Sequence, residues 1–204
     1  MATTNRLKST RKNQFGEETS DGHGIVGEVK RFLHLEGGNK ITTLQQLFVE
    51  QLQDLFSAEN QLIEALPKMA KAAYAAPLKK GFQLHLKETR EHARRLEKIL
   101  KRLGEKPGGK TCKAMEGLVK EGNETISEDA SREVKDAALI AAAQRVEHYE
   151  IAGYGCVRTF ATLLGLKGDA QTLEATLKEE AATDKKLTAA AETINVKADK
   201  APKK

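Results

Sequence analysis

Residues 54–70 read DLFSAENQLIEALPKMA. Apolar side chains recur in this stretch every three or four residues, which is the spacing of one face of an α-helix that packs in a bundle. Glu59 occupies one of these core positions, with Leu55 before it and Leu62 after it. Because a carboxylate in an apolar stripe is costly unless something compensates it, the stretch predicts a helix bundle with a polar site inside it.

The same periodicity predicts four long helices, over residues 42–74, 77–103, 131–164 and 169–194. Thr42 and Thr43 are good N-caps for the first helix. Pro67 predicts a kink or a break within it, because proline has no amide hydrogen to donate. Gly165 is a typical residue to end the third helix.

The connection between the second and third long helices is long and contains a short amphipathic helix, residues 112–126. Two helical hairpins joined by one long crossover are typical of an all-α, ferritin-like four-helix bundle. We assign this bundle to residues 41–196, a flexible polar leader to residues 1–40 and a basic tail to residues 197–204. Apolar residues at 25–33 allow one further helix in the leader.

Composition supports this assignment and excludes several classes of protein. Aromatic residues make up 4% of the chain and tryptophan is absent, while helix-favouring residues dominate the middle. No apolar run is long enough to span a membrane, and the polar start of the chain does not resemble a secretory signal. Cys112 and Cys156 are expected to be ordinary small apolar side chains. They lack a CxxC spacing and indicate no disulfide framework, which predicts a reducing, cytoplasmic location.

The net charge of +5 is concentrated at the two ends of the chain, since residues 41–196 carry 23 charges of each sign. These basic ends allow a weak contact with nucleic-acid phosphates, although a solvated tail is the simpler explanation. The residues concerned are Arg6, Lys8, Arg11, Lys12, Lys197, Lys200, Lys203 and Lys204.

Acidic residues interrupt the apolar stripe near the middle of all four long helices. Two histidines also lie near the middle of the second of these helices. The candidate metal ligands are Glu59, Glu88, Glu147, Glu150, Glu180, Asp184, His85 and His92. Antiparallel packing would bring these midpoints together. Glu179 and Glu91 are expected on the solvated face, and His148 on the surface or behind a ligand. Tyr154 either bonds a ligand carboxylate or simply packs.

Three compensations are open to such a group of carboxylates. They pair with basic residues, they stay protonated, or they surround cations. The stripes contain no basic residue at this level, and two divalent ions neutralise about four carboxylates, so we favour a pair of metal ions, iron or manganese. An acid taken alone on such a stripe is usually a boundary residue with its head in water, and it is the occurrence of acids in all four stripes that favours the metal ions. His85 and His92 are either ligands or satisfied core histidines.

The chain also resembles the YciE/YciF-like family of ferritin-like bacterial stress proteins. The resemblance covers residues 42–191 and lies in DLFSAENQLIEALPKMA, HLKETREHARRLEKIL, TCKAMEGLVKEG, VKDAALIAAAQRVEHYEIAGYG and TLKEEAATDKKLTAAA. It implies a ferritin-like bundle, a di-metal centre, a homodimer and a role in stress. The usual di-iron pattern of Glu-x-x-His is absent here: Glu88 is followed by His92 four residues later, and Glu180 by Asp184.

From these residues we expect redox chemistry linked to peroxide or oxygen, since two metal ions can hold an oxidant between them. The alternative is a protein without catalysis that sequesters metal or interacts with partners, with a purely structural site. No feature of the sequence specifies a large iron-storage cage.

Overall fold

The structure is a computed structural model that describes residues 41–200. It contains five helices in this range and no strand: α1 (Leu44–Ala72), α2 (Ala76–Arg102), α3 (Lys113–Ser127), α4 (Arg132–Leu163) and α5 (Lys167–Asp199). The four long helices and the short one in the crossover confirm the predicted all-α bundle. The predicted leader helix lies outside the described residues. None of the five helices is long and apolar enough to cross a membrane.

The ends of the helices follow their local chemistry. Thr43 caps α1 through a capping box with Gln46, and Ser131 caps α4 by accepting a hydrogen bond from the amide of Val134. Gly165 ends the α4 turn with φ +73°, a conformation that glycine adopts without strain. Helix α5 continues to Asp199, so the first residues of the predicted basic tail are helical.

Pro67 does not break α1, contrary to one of the two expectations for it. The helix is continuous from Leu44 to Ala72, with Pro67 inside its last turns. The missing amide removes one backbone hydrogen bond. Burial of Leu66 and Met69 on either side of the proline holds the segment against the core.

The long helices form a ring in which α1 packs against α2 and α4, and α5 packs against α4 and α2. Two apolar clusters fill this ring, one containing Leu62, Phe82, Ile140 and Leu187, the other containing Leu52, Leu96, Val157 and Leu173. Along α2 and α4 the first cluster precedes the second, whereas along α1 and α5 the order is reversed. Ring neighbours are therefore antiparallel, and the segment between the clusters lies near the middle of every long helix.

Asp136 ties the two hairpins together. Its carboxylate is buried in α4 and accepts hydrogen bonds from the amides of Tyr74 and Ala75, at 2.8 and 2.7 Å, in the turn between α1 and α2. We expect Asp136→Ala to lower the free energy of unfolding by about 2 kcal/mol, since two amides lose a charged acceptor. Urea unfolding measures this, with Glu124→Ala, an exposed position on α3, as control. Equal midpoints for the two variants would contradict it.

Candidate metal centre

Six ionisable side chains meet in the layer between the two apolar clusters. At most 3% of each is exposed, and they come from all four long helices: Glu59, His85, His92, Glu147, Glu150 and Glu180. Each sits on the same helical stripe as buried apolar residues that precede and follow it, so packing of the stripes carries the polar groups inward. The structure thus brings together six of the eight predicted ligands.

The six side chains form two groups that share Glu180. Donor atoms of His85, Glu147, Glu150 and Glu180 lie within 4.8 Å of one another, and so do those of Glu59, His92 and Glu180. Ligands on opposite sides of one metal ion, at about 2.0–2.2 Å each, are separated by up to about 4.4 Å. The two groups therefore have dimensions that suit one ion each, with the carboxylate of Glu180 between them.

Each histidine directs one ring nitrogen towards the carboxylates and the other towards a supporting group. His92 Nδ1 lies 2.8 Å from Glu180 Oε1, while its Nε2 lies 2.8 Å from Glu179 Oε2. His85 Nε2 lies 3.2 Å from Glu147 Oε1, while its Nδ1 lies 3.4 Å from the hydroxyl of Thr183. Metal-bound histidines are commonly oriented in this way by a hydrogen bond at the second nitrogen.

The inner donor atoms are poorly satisfied by the protein alone. Eight buried polar atoms of these six residues have no hydrogen-bond partner, including both oxygens of Glu150, both oxygens of Glu180 and the inward nitrogen of each histidine. The inward nitrogens of His85 and His92 lie close to Glu147 and Glu180, but these two pairs are not aligned as hydrogen bonds. Unpartnered buried polar atoms are rare because each costs free energy. Oxygen and imidazole donors left open towards one space fit divalent cations of the iron or manganese type.

Electrostatics inside the layer favours neutral carboxyls in the protein without cations. Burial, reinforced by the charge of Glu180, raises the pKa of Glu59 to about 8. Burial likewise raises the pKa of Glu147 to about 7, although His85 opposes the shift. The pKa of Glu150 is also raised well above its ordinary value by burial and by the neighbouring acids.

The pKa values of the two histidines are raised, which favours their charged form. Burial alone would lower the pKa of His92, but Glu180 and Glu59 outweigh it and bring the value to about 9. The pKa of His85 is raised well above normal in the same way, because Glu147 and Glu88 offset the effect of burial. Without cations, protons thus compensate part of the negative charge. Cation binding would displace them.

Tyr154 bonds a carboxylate of the site, which settles the alternative left open by the sequence. Its hydroxyl donates to Glu59 Oε1, and the side chain is fully buried. Gly153, next to it, allows α4 to approach α1 closely: a Cβ there would lie 2.8 Å from Cδ2 of Leu55. Small size at position 153 therefore helps to place Tyr154 and Glu150 against α1.

Glu88 and Asp184 lie outside both groups. Glu88 is 27% exposed and faces the outer nitrogen of His85 at 3.5 Å, and this contact lowers the pKa of its carboxyl. Asp184 is 20% exposed and contacts His148 at 3.3 Å and the amide of Gln144 at 3.2 Å. The predicted core position of Asp184 is therefore corrected. Four residues along an α-helix turn by about 40° more than one full turn, so Asp184 is rotated away from the direction of Glu180 and lies at the rim. His148 is on the surface, as expected.

Glu179 is 37% exposed, in agreement with its predicted place on the solvated face, and its carboxylate also supports the site. Its carboxylate contacts His92 and also Arg95, whose Nη1 lies 2.6 Å away. Burial would raise the pKa of Glu179, but Arg95 and His92 together lower it. The spacing of His92 and Arg95 on one face of α2 was the available signal for this contact. Glu91 pairs with Arg94 and Arg95, in agreement with its predicted place outside the core.

The two free cysteines differ in burial. Cys112 is buried and its sulfur lies 2.9 Å from the hydroxyl of Tyr149, whereas Cys156 is exposed. Burial raises the pKa of the Cys112 thiol.

Known proteins resemble this chain over the whole bundle. A family model described as Domain of unknown function (DUF892) matches residues 43–199. Protein YciF of Escherichia coli K12 is 45% identical over 159 residues, which are 77% of this chain and 96% of that protein.

Solved structures agree with the sequence comparison. The crystal structure of the E. coli stress protein YciF matches with a TM-score of 0.74 at 44% identity, covering 77% of this chain and 99% of that one. YcfI of Rhodopseudomonas palustris, which has been put forward as a structural protein, matches with a TM-score of 0.72 at 42% identity, covering 75% and 98%. These matches, with the resemblance already seen in the sequence, show that the chain belongs to the DUF892 family of YciF-like helical-bundle proteins.

Proposed function

We propose that the chain is a ferritin-like di-metal protein of the stress response, which uses iron or manganese in redox chemistry with peroxide or oxygen. The observation that carries this proposal is the position of Glu180, whose two oxygens are buried, unpartnered and shared by two groups of donors. One carboxylate between two donor groups is the arrangement that two neighbouring cations require.

The residues of the two groups have distinct parts in this proposal. His85, Glu147 and Glu150 would hold one ion, while Glu59 and His92 would hold the other, and Glu180 would bridge them. Bound iron or manganese supplies the electrons for reduction of the oxidant. The apolar clusters on both sides of the layer exclude bulk water, and Tyr154 holds a proton against Glu59 Oε1.

The alternative is a metal-sequestering or structural site without turnover. Glu59, His92 and Glu180 are all fully buried, and closed ligand sets are typical of structural metal sites. The R. palustris relative has been put forward as a structural protein, which agrees with this alternative. The two functions differ in whether an oxidant reaches the ions.

Anaerobic titration with ferrous iron, followed by stopped-flow mixing with hydrogen peroxide, tests the proposal. We expect about two ions per chain and rapid oxidation of both, with a new near-ultraviolet absorbance. Protein saturated with two ions that shows neither oxidation nor turnover would support the structural alternative. Failure to bind any divalent ion would overturn both. Elemental analysis of protein purified without added metal identifies the native ion.

Three further features stay predictions: a homodimer, a cytoplasmic location and a weak contact of the basic ends with nucleic acid. Lys197 and Lys200 are the members of the basic ends that fall within residues 41–200, at the end of α5.

A further inference from the structure

A cavity of about 160 Å³ opens between α2 and α5 and reaches the candidate metal centre. Its walls are apolar for most of their area, and its inner end is polar. Leu78, Phe82, Leu187 and Ala190 line the walls, while His85 and Glu147 lie at the inner end. The cavity therefore has an apolar body and a polar tip directed at the donors of the first group.

The outer end of the cavity is accessible. Leu84 is 45% exposed there, and Gly81 is exposed beside it. Lys186 stands at the rim, 3.9 Å from Glu88. An open, apolar passage to a buried polar centre fits the entry of a molecule from solution.

We infer that this cavity binds a small neutral organic molecule, about the size of one aromatic ring, with its hydroxyl or hydroperoxyl group directed at His85 and Glu147. The inference rests on the proposed function in that it names the class of substrate for the same site. An apolar cavity of about 150 Å³ is known to hold one benzene molecule, so the volume sets the size of the ligand.

The polarity of the lining sets the chemical class. Transfer of an apolar body from water to walls of leucine, phenylalanine and alanine is favourable. A hydroxyl at the inner end can donate to a carboxylate oxygen of Glu147, one of which has no partner. Burial of an ionised carboxylate among these apolar walls is costly, so an anion of the same shape is disfavoured.

Gly81 provides a variant that blocks the cavity without disturbing the centre. No atom lies within 4 Å of a Cβ built on it, and leucine is a better helix former than glycine, so Gly81→Leu is expected to fold. The added side chain narrows the outer end. Gly117→Leu on α3 is the matched control, because Gly117 also has nothing within 4 Å and does not line the cavity.

Binding of phenol and of benzoate to the full chain, as purified and after chelation, tests the inference through backbone amide shifts. In the chelated protein, phenol is expected to shift the backbone amide resonances of residues 78–85 and 183–190. Benzoate is expected to leave these resonances unchanged. Gly81→Leu is expected to weaken phenol binding about tenfold or more, while Gly117→Leu leaves it unchanged. Absence of phenol shifts in these segments, or equal binding by both variants, would overturn the inference.

The outcome is separable from that of the proposed function, because phenol binding to the chelated protein needs no metal. Phenol binding that Gly81→Leu weakens supports the cavity assignment even if ferrous iron is not oxidised. Rapid oxidation of ferrous iron with no phenol binding keeps the proposed function and removes the cavity assignment.

Discussion

Glu180→Gln is expected to abolish binding of both metal ions in the concentration range where the unaltered chain binds two. Glu180 is shared by the two donor groups, so its neutralisation removes a charged ligand from each. Loss of a supporting contact alone weakens metal sites about 10–100-fold, and we expect a shared direct ligand to cost about 100-fold or more at both positions. Calorimetric titration with ferrous or manganous ion under anaerobic conditions measures this.

Variants that remove a ligand from only one of the two donor groups refine this test. Glu147→Gln is expected to retain one ion, bound by Glu59, His92 and Glu180, and Glu59→Gln to retain the other. Glu192→Gln, an exposed position on α5 about three turns from Glu180, is expected to bind two ions with unchanged affinity. Two ions bound normally by Glu180→Gln would remove the basis of a shared di-metal site.

The metal-free protein is expected to lose stability as the pH rises from 6 to 9, with a total fall on the order of 5 kcal/mol. A carboxyl whose pKa is higher in the folded chain stabilises the fold while protonated. The pKa values of Glu147 and Glu59 are raised to about 7 and about 8, so this contribution is lost progressively from about pH 4.5 up to those values.

His92 changes stability in the same direction as the two acids. Its pKa rises from 6.5 to about 9, so its contribution is complete below pH 6.5 and disappears as the pH passes 9. Bound cations replace these protons, and the loaded protein should therefore keep a nearly constant stability over this range.

Urea unfolding at four pH values, with and without a chelator, measures both curves. Release of protons on metal addition at pH 7, detected with a pH indicator, is the companion result. A metal-free protein whose stability is level or rises between pH 6 and 9 would show that the buried carboxyls do not retain their protons. Because Glu180 contributes to the raised pKa of Glu59, Glu180→Gln should reduce the slope.

The sequence by itself determined the helices and the depth of most of the acids. The repeat of apolar residues every three or four positions fixes which face of each helix is buried, so the burial of Glu59, Glu147 and Glu180 followed from their place in that repeat. Capping by Thr43 and Ser131 and termination at Gly165 are local effects, which a few neighbouring residues decide.

Only the tertiary structure decided which of these side chains meet and which support them. Glu180 and Asp184 have similar places in the sequence repeat, yet one is fully buried and the other lies at the rim against His148, because helix rotation and the neighbouring α4 set their depth. The contact of Glu179 with His92 joins residues 87 positions apart. The repeat reports which face of one helix is buried, while the pairing of partners across helices depends on how the four helices pack together.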